Sequence, residues 1–169
     1  MRKILDFLFG TRKRTATTTA TGTAGVLVAA ATFIGPWEGL RTDAYLDPIG
    51  VPTVCYGETR GVKMGDSYTA EECKDMLSEA LVTYRNGLAA CFPALGDQPE
   101  GVQVAFISWT YNVGIGAACK STLVKLANAG DMKGACNQLP RWNRAGGRIL
   151  RGLTNRRESE RDVCLGALE

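Results

Sequence analysis

The sequence predicts an α+β fold that is mostly α-helical, with one small β-hairpin near its start. Apolar residues recur at helical spacing over much of the chain after residue 69. Only residues 44–58 combine the Pro, Gly, Val and Thr that favour short strands around a tight turn. At 169 residues the chain is long enough for one domain with its own hydrophobic core.

Local signals place the elements in order. Residues 44–58 predict the hairpin, with its turn at residues 48–50. Thr69 and Glu72 have the spacing of a capping box, which predicts a helix that begins there and continues through Leu88. The further predicted helices are 100–111, 121–129, a short helix after Asp131, and 155–168 with Asn155 and Glu158 as its cap.

The chain has six cysteines and no histidine. Without histidine, a Ser-His-Asp triad, a Cys-His dyad and a histidine-bound zinc catalyst are excluded, so acid–base chemistry falls to other side chains. The cysteines contain no C-x-x-C pair, which favours disulfides in an oxidising compartment over a metal site. Reduced core thiols are the alternative, and the pairing is open. We expect neither a metal nor a cofactor.

The N-terminal region combines positive charge with an uncharged run. Residues 1–14 carry five basic groups and one acid, and the 23 residues of 15–37 carry no charge. As a helix this run would span about 34 Å, enough for a bilayer core of roughly 30 Å. Basic residues ahead of it would keep the N-terminus in the cytoplasm. The run is rich in Thr, Ala and Gly, so we expect only marginal stability in lipid.

Three interpretations of this region are open. The small residues at 29–31 could be the cleavage site of a signal peptide. Alternatively, the segment is retained, exports the domain and later leaves the membrane. The third interpretation, a soluble Ala/Thr-rich helix or linker, fits poorly with the basic residues just upstream.

Glu38, Asp47 and Thr53 are the candidate catalytic residues. Glu38 follows Trp37 at the end of the uncharged run, where we expect an apolar wall that favours the protonated carboxyl of a general acid. Asp47 begins a Pro-Gly turn, where solvent keeps a carboxylate ionised. Thr53 offers a hydroxyl that could position a water molecule. Two carboxylates in contrasting environments suit glycoside hydrolysis, although each residue also has an ordinary structural explanation.

The spacing of Glu38, Asp47 and Thr53 resembles the Glu-Asp-Thr triad of phage-type lysozymes, glycoside hydrolase family 24. The surrounding EGLRTDAYLDPIGVPTVCYGET resembles the first motif of that family, and two later segments are also similar: AFISWTYNVGIGAACKSTLVKLANAGD and RWNRAGGRILRGLTNRRESER. Together they cover residues 38–162. Within the family, the chain looks most like endolysins of lambdoid phages that carry a signal-anchor-release segment.

The resemblance implies a lysozyme-like fold, with residues 1–37 as the N-terminal segment and residues 38–169 as the catalytic domain. It implies a muramidase that cuts the β-1,4 bond between N-acetylmuramic acid and N-acetylglucosamine in peptidoglycan. Glu38 would protonate the glycosidic oxygen, while Asp47 and Thr53 would hold the attacking water and invert the anomeric centre. Many relatives have His where this chain has Glu58, which we leave out of the catalytic set.

The resemblance also implies a mechanism of control. Some relatives exchange disulfides through a Cys in the release segment, but residues 15–37 contain none. We therefore expect the segment to hold an inactive monomer at the periplasmic face of the host inner membrane, then to leave the bilayer and refold onto the domain. Membrane depolarisation during lysis would release it into the periplasm.

Two rival functions and one charged region remain. A lytic transglycosylase would need the acid but no water-holding Asp, and a non-catalytic cell-wall-binding domain would need neither. Seven arginines crowd the C-terminal third: Arg141, Arg144, Arg148, Arg151, Arg156, Arg157 and Arg161. They predict either a cationic face for anionic wall polymer or lipid, or a solvated face with ion pairs. The lack of interleaved aromatics argues against nucleic acid. Trp109 is expected in the core, and Trp142 is left undecided.

Overall fold

The computed structural model describes residues 19–47 and 49–169 of the chain. These residues form seven α-helices and four short strands: α1 Thr19–Glu38, β1 Arg41–Leu46, β2 Pro52–Cys55, α2 Ala70–Cys91, α3 Glu100–Val113, α4 Ile115–Lys120, α5 Thr122–Asn128, α6 Met132–Cys136, β3 Arg144–Ala145, β4 Arg148–Ile149 and α7 Arg151–Gly166. Two 3₁₀ helices lie at Pro93–Asp97 and Leu139–Trp142. The predicted class, mostly α with a small hairpin, is confirmed.

Helix α3 is the centre of the fold. Its residues 102–110 are all buried, and it packs against α1, α2 and α7. The larger core cluster contains residues of this helix from Val102 to Trp109, Phe106 among them, and also includes Phe92. Trp109 is fully buried, as predicted, and the half-buried Trp142 packs edge-on against it with ring centroids 5.2 Å apart. A helix surrounded on all sides needs apolar residues all round, which explains why most of this buried stretch is apolar, with Gln103, Ser108 and Thr110 as its polar members.

Helix α1 packs on the core through one stripe of side chains. Val26, Ala30 and Ile34 recur every four residues and are 4%, 0% and 0% exposed. Their partners are Leu77, Leu81, Val104 and Ile107 of α2 and α3. Residues four apart lie on one helix face, so the next position in this series is Glu38. Within the described residues, no helix combines the length and apolarity needed to cross a membrane.

The end of α1 leads directly into the hairpin. Gly39 has a φ of 71°, and its N–H donates to the Gly35 carbonyl at 3.1 Å. This is a C-terminal glycine cap, which ends the helix and reverses the chain immediately after Glu38. Strands β1 and β2 then pair antiparallel, with Tyr45 opposite Thr53. The predicted hairpin is therefore confirmed, although β1 begins at Arg41, earlier than predicted. Residue 48 of the predicted turn lies outside the described residues, as do residues 1–18.

Every cysteine is in a disulfide. The pairs are Cys55–Cys73, Cys91–Cys119 and Cys136–Cys164, so the predicted disulfides are confirmed and the alternative of reduced thiols is wrong. The first joins β2 to α2, the second joins α2 to α4, and the third joins α6 to α7. Each cross-link restricts the unfolded chain, which typically stabilises a fold by about 2–4 kcal/mol.

Two helix starts test the capping signals. The capping box of α2 is confirmed, because Thr69 Oγ1 accepts from the Glu72 N–H at 3.2 Å and Glu72 Oε2 accepts from the Thr69 N–H at 2.7 Å. The predicted start of α7 at Asn155 is wrong, since the helix begins at Arg151 without a side-chain cap. Leu150 instead donates its N–H to the Asn143 carbonyl at 3.0 Å, so the preceding hairpin sets the direction of the helix.

Candidate active site

Glu38 lies at a cleft of about 470 Å³ between α1, the segment after β2, and helices α2 and α3. Its side chain is 20% exposed. Glu58 and Arg60 line the cleft after β2, and Tyr84 and Tyr111 line it from α2 and α3. With Tyr56 also in its lining, the cleft combines two carboxylates, a guanidinium and three tyrosines, which are groups that suit a polar ligand such as a sugar.

The side chain that holds Glu38 is a cation. Arg156 of α7 donates from Nη1 to Glu38 Oε1 at 2.6 Å. The sequence predicts an apolar wall beside Glu38, and this prediction is wrong at Oε1, which contacts the guanidinium. Trp37 is instead 37% exposed, and its ring packs against Phe33. Glu38 sits at the C-terminus of α1, where the helix dipole is negative, so its carboxylate needs such a counter-charge.

Arg156 belongs to a buried cluster of charges. Its Nε donates to Glu160 Oε1 at 3.2 Å and its Nη2 donates to the Ser108 carbonyl at 3.2 Å. Glu160 Oε1 also accepts from the Ser108 hydroxyl at 2.6 Å. Arg157 adds a second cation, with its Nε 2.9 Å from Glu160 Oε2. The exposed fractions of Arg156, Arg157 and Glu160 are 3%, 0% and 0%, so this cluster is desolvated.

Burial shifts the pKa values of Glu160 and Arg157 in this cluster. It raises the pKa of Glu160, and the two arginines and Ser108 oppose that rise. It also lowers the pKa of Arg157 to about 10, with Glu160 opposing it, so this guanidinium stays charged near neutral pH. If one of these side chains moved away, its partner would be left as a buried charge without compensation, which is costly. The cluster therefore holds Arg156, Arg157 and Glu160 in fixed positions.

Asp47 and Thr53 lie on the hairpin and do not line the cleft of Glu38. Asp47 Oδ1 accepts from the N–H groups of Ile49 and Val51 at 2.9 and 2.8 Å, which holds the carboxylate in the turn. Thr53 is 4% exposed and donates its hydroxyl to the Val51 carbonyl at 2.9 Å. Two of the three predicted residues are therefore together on the hairpin, and Glu38 is at the helix end that precedes it.

Glu58 is a cleft residue with a dedicated partner. Its carboxylate accepts from the Thr59 and Arg60 N–H groups and from the Arg60 guanidinium, at 2.8 to 3.2 Å. Burial raises the pKa of Glu58, but the hydrogen bonds and charge of Arg60 outweigh it and hold that pKa below its usual value. Glu58 is therefore an ionised carboxylate in the cleft wall, and the Arg60 guanidinium balances its charge.

Two tyrosines form the opposite wall. The Tyr111 hydroxyl donates to the Tyr56 carbonyl at 2.7 Å, and its ring packs against Tyr84 with centroids 5.0 Å apart. Burial, with the nearby charge of Glu38, raises the pKa of Tyr111 above its ordinary value, so it stays a neutral phenol.

Sequence reasoning missed Ser108, Arg156 and Glu160 as site residues. One signal was present: Arg156 and Glu160 have the i, i+4 spacing of an ion pair on a helix. Ser108 lies inside a predicted helix and carries no such signal. In the described residues, no group of three or more Asp, Glu or Cys side chains is arranged to hold a metal ion.

Comparisons with known proteins agree on one family. The sequence model of the family Phage lysozyme matches residues 35–160. A SAR-endolysin of Bacteriophage PS119 is 43% identical over 146 residues, which are 83% of this chain and 86% of that protein. A SAR-endolysin of Enterobacteria phage P21 is 40% identical over 158 residues, 90% of this chain and 94% of that one. The crystal structure of the active form of the P1 phage endolysin Lyz matches with a TM-score of 0.75 and 28% identity, covering 89% of this chain and 95% of that chain.

Glu160→Gln tests the buried cluster. The change leaves two buried guanidinium groups without their shared carboxylate, so we expect the free energy of unfolding to fall by about 3–5 kcal/mol. Urea denaturation followed by circular dichroism measures this loss. Glu158→Gln is the matched control, because Glu158 is on the same helix but exposed, and should change stability by less than about 0.5 kcal/mol. Equal effects of the two changes would contradict a structural role for the cluster.

Glu58→Gln tests, through the pH dependence of stability, whether Arg60 stabilises the ionised carboxylate of Glu58. Because the pKa of Glu58 is lowered from 4.5 in the fold, its stabilisation is present above pH 4.5 and disappears as the pH falls through the lowered pKa. The variant should be less stable than wild type at pH 7, and the difference should shrink between about pH 5 and pH 3. Urea unfolding across this range measures it, with the exposed Asp75→Asn as the control. A difference that does not change with pH would refute the assignment.

Proposed function

This chain belongs to the phage lysozyme family, and we propose from that premise how its residues carry out the lysozyme reaction. It is a glycoside hydrolase, a phage endolysin that hydrolyses the β-1,4 bond between N-acetylmuramic acid and N-acetylglucosamine of peptidoglycan. The observation that carries the proposal is the position of Glu38, at the cleft and held by Arg156.

Glu38 is the general acid. The protonated form of Glu38 is the one that acts: Arg156 occupies Oε1, which leaves Oε2 to carry the proton and to donate it to the glycosidic oxygen as the bond from that oxygen to the anomeric carbon breaks. Glu38 then becomes a carboxylate, and the guanidinium already in place balances its new charge. A preorganised counter-charge of this kind needs no rearrangement during the reaction, which is how electrostatic stabilisation lowers a barrier.

Asp47 and Thr53 lie outside the walls of the cleft beside Glu38, and in this proposal they hold, on the hairpin side of the bond, the water that completes hydrolysis. Asp47 Oδ1 is used by backbone N–H groups, so Oδ2 is the oxygen left to accept a proton from water. Thr53 has already donated its hydrogen to Val51, so its oxygen also accepts from the water. With both hydrogens engaged, the lone pair of the water attacks the anomeric carbon from the face opposite the leaving oxygen. The product has inverted configuration.

Glu38→Gln tests this mechanism on purified peptidoglycan sacculi. Losing the transferable proton should lower the rate of hydrolysis at least about 100-fold, because general acid catalysis contributes that much. Glu79→Gln, an exposed change on α2, should retain the wild-type rate. Asp47→Asn and Thr53→Ala should also slow the reaction.

The products separate the two kinds of cleavage. Hydrolysis gives fragments with reducing ends, whereas a lytic transglycosylase gives anhydro-sugar ends and needs no attacking water. A Glu38→Gln enzyme that clears sacculi at the normal rate would refute the assignment of the acid. Anhydro ends from the wild-type enzyme would refute the roles of Asp47 and Thr53.

The N-terminal segment controls when this site exists. We propose that residues 15–37 first tether the enzyme at the periplasmic face of the host inner membrane and later release it into the periplasm. The relatives named SAR-endolysins support this order of events. In the folded enzyme, Val26, Ala30 and Ile34 dock on the core and bring Glu38 to Arg156. While these side chains are in lipid they cannot dock, so the acid is separated from its partner and the enzyme is inactive.

Ile34→Ala and Val28→Ala separate docking from membrane residence. Both changes remove apolar atoms from the segment, but Ile34 is 0% exposed in the docked helix and Val28 is 68% exposed. Ile34→Ala should therefore cost about 2–5 kcal/mol of folding free energy and reduce the active fraction after release. Val28→Ala should have neither effect. The measurements are urea unfolding and sacculus hydrolysis after membrane depolarisation, and equal activities for the two variants would contradict the proposal.

A further inference from the structure

After the basic N-terminus of residues 1–14, the positive charge of this protein is concentrated in one stretch of the chain. Residues 132–157 contain seven basic residues and no acidic residue. Residues 15–131 and 158–169, by contrast, contain sixteen acidic and eight basic residues. An anionic surface therefore repels most of the catalytic domain and attracts this stretch.

The structure divides these basic residues into two groups. Arg156 and Arg157 are buried in the charge cluster, so they are not available to a partner. Arg141, Arg144, Arg148 and Arg151 are all exposed, on or beside the β3–β4 hairpin. In the described part of the chain, none of these four forms an ion pair with an acidic side chain. We call residues 141–151 the basic hairpin.

The basic hairpin has a fixed shape. Gly146 and Gly147 have φ values of 55° and 78°, the positive values that a tight two-residue hairpin turn requires. At its base, Leu150 donates its N–H to the Asn143 carbonyl at 3.0 Å, and Trp142 packs against the buried Trp109. The arginines are therefore presented by an anchored element rather than by a free loop.

Apolar side chains accompany the exposed arginines. Ile149 and Leu150 lie between Arg148 and Arg151 and are 57% and 44% exposed. Guanidinium groups bind phosphate oxygens in a bidentate manner, and exposed aliphatic groups gain free energy by entering the apolar part of a headgroup layer. A carbohydrate chain with carboxylates would use the arginines but would leave the aliphatic pair in water.

We propose that the basic hairpin binds the phosphate headgroups of an anionic lipid surface. Arg141, Arg144, Arg148 and Arg151 contact the phosphates, and Ile149 and Leu150 enter the layer between them. Arg151 begins α7, and Arg156 follows five residues later beside Glu38, about 7.5 Å along the helix axis. Lipid binding through this element therefore keeps the cleft close to the membrane surface after the N-terminal segment has left the bilayer.

Vesicle sedimentation of the full-length chain tests the proposal. The vesicles are phosphatidylcholine alone, or phosphatidylcholine with 30% phosphatidylglycerol (about the anionic content that gives a clear negative surface potential). Arg144→Gln with Arg148→Gln should weaken partitioning to the anionic vesicles by about 30-fold, given the usual contribution of each basic residue at such a surface. Binding to neutral vesicles should not change, and Ile149→Ser should weaken anionic binding at high salt as well as low.

The matched control is Lys120→Gln with Lys125→Gln, which removes the same charge from exposed positions on α4 and α5. It should weaken anionic binding by less than about threefold. Equal losses for the two double variants would mean that only diffuse charge matters, and would overturn the proposal. The proposal is also overturned if the wild-type chain shows no preference for anionic vesicles.

Hydrolysis of lipid-free sacculi separates this inference from the enzymatic mechanism. The Arg144→Gln, Arg148→Gln enzyme should hydrolyse sacculi at the wild-type rate and unfold at the wild-type temperature. If sacculus hydrolysis falls while vesicle binding is unchanged, the partner is the anionic wall polymer, and the lipid proposal is wrong. Loss of activity in Glu38→Gln without loss of vesicle binding would show that the two functions are separate.

Discussion

The ion pair between Arg156 and Glu38 is the interaction on which the site depends. It joins the first helix of the described fold to the last, across 118 positions of sequence. Arg156 can serve in this way because Glu160 and Ser108 hold its other nitrogens in the interior of the protein. A guanidinium is suited to the task, since its planar set of donors contacts several acceptors at once. The position of the acid is therefore decided mainly by residues far from it in the chain.

This arrangement accepts an energetic cost. Desolvating two guanidinium groups and a carboxylate is unfavourable, and a well-packed apolar cluster of the same volume would often be more stable. In compensation, the charge cluster fixes the orientation of Glu38 at the end of α1, where neither the helix dipole nor apolar packing would hold this side chain. The docked stripe of α1 supplies the rest, because burial of Ile34 one turn earlier limits how far the end of the helix can move.

Much of the fold followed from local signals. The capping box of α2, the hairpin and the apolar course of α3 each depend on neighbours within a few residues, so their sequence patterns were sufficient. The start of α7 was missed because no side chain caps it, and its direction comes from a hairpin that only the tertiary structure shows. The proposed catalytic residues come from resemblance, since the spacing of Glu38, Asp47 and Thr53 alone has ordinary structural explanations. Arg156 was assigned to a surface face because composition does not distinguish a buried arginine from a solvated one.

The distribution of the disulfides has a consequence for α1. All three cross-links lie at residue 55 or later: they join β2 to α2, α2 to α4 and α6 to α7, and none of them reaches α1. The first helix can therefore leave or join the fold as a unit, through non-covalent contacts that include its apolar stripe and the ion pair with Arg156, while every covalent bond stays intact. The rest of the domain can form its disulfides before α1 packs against it. Assembly of the enzyme then resembles the binding of a ligand that happens to be attached to its receptor, with a high effective concentration set by the short connection at Gly39.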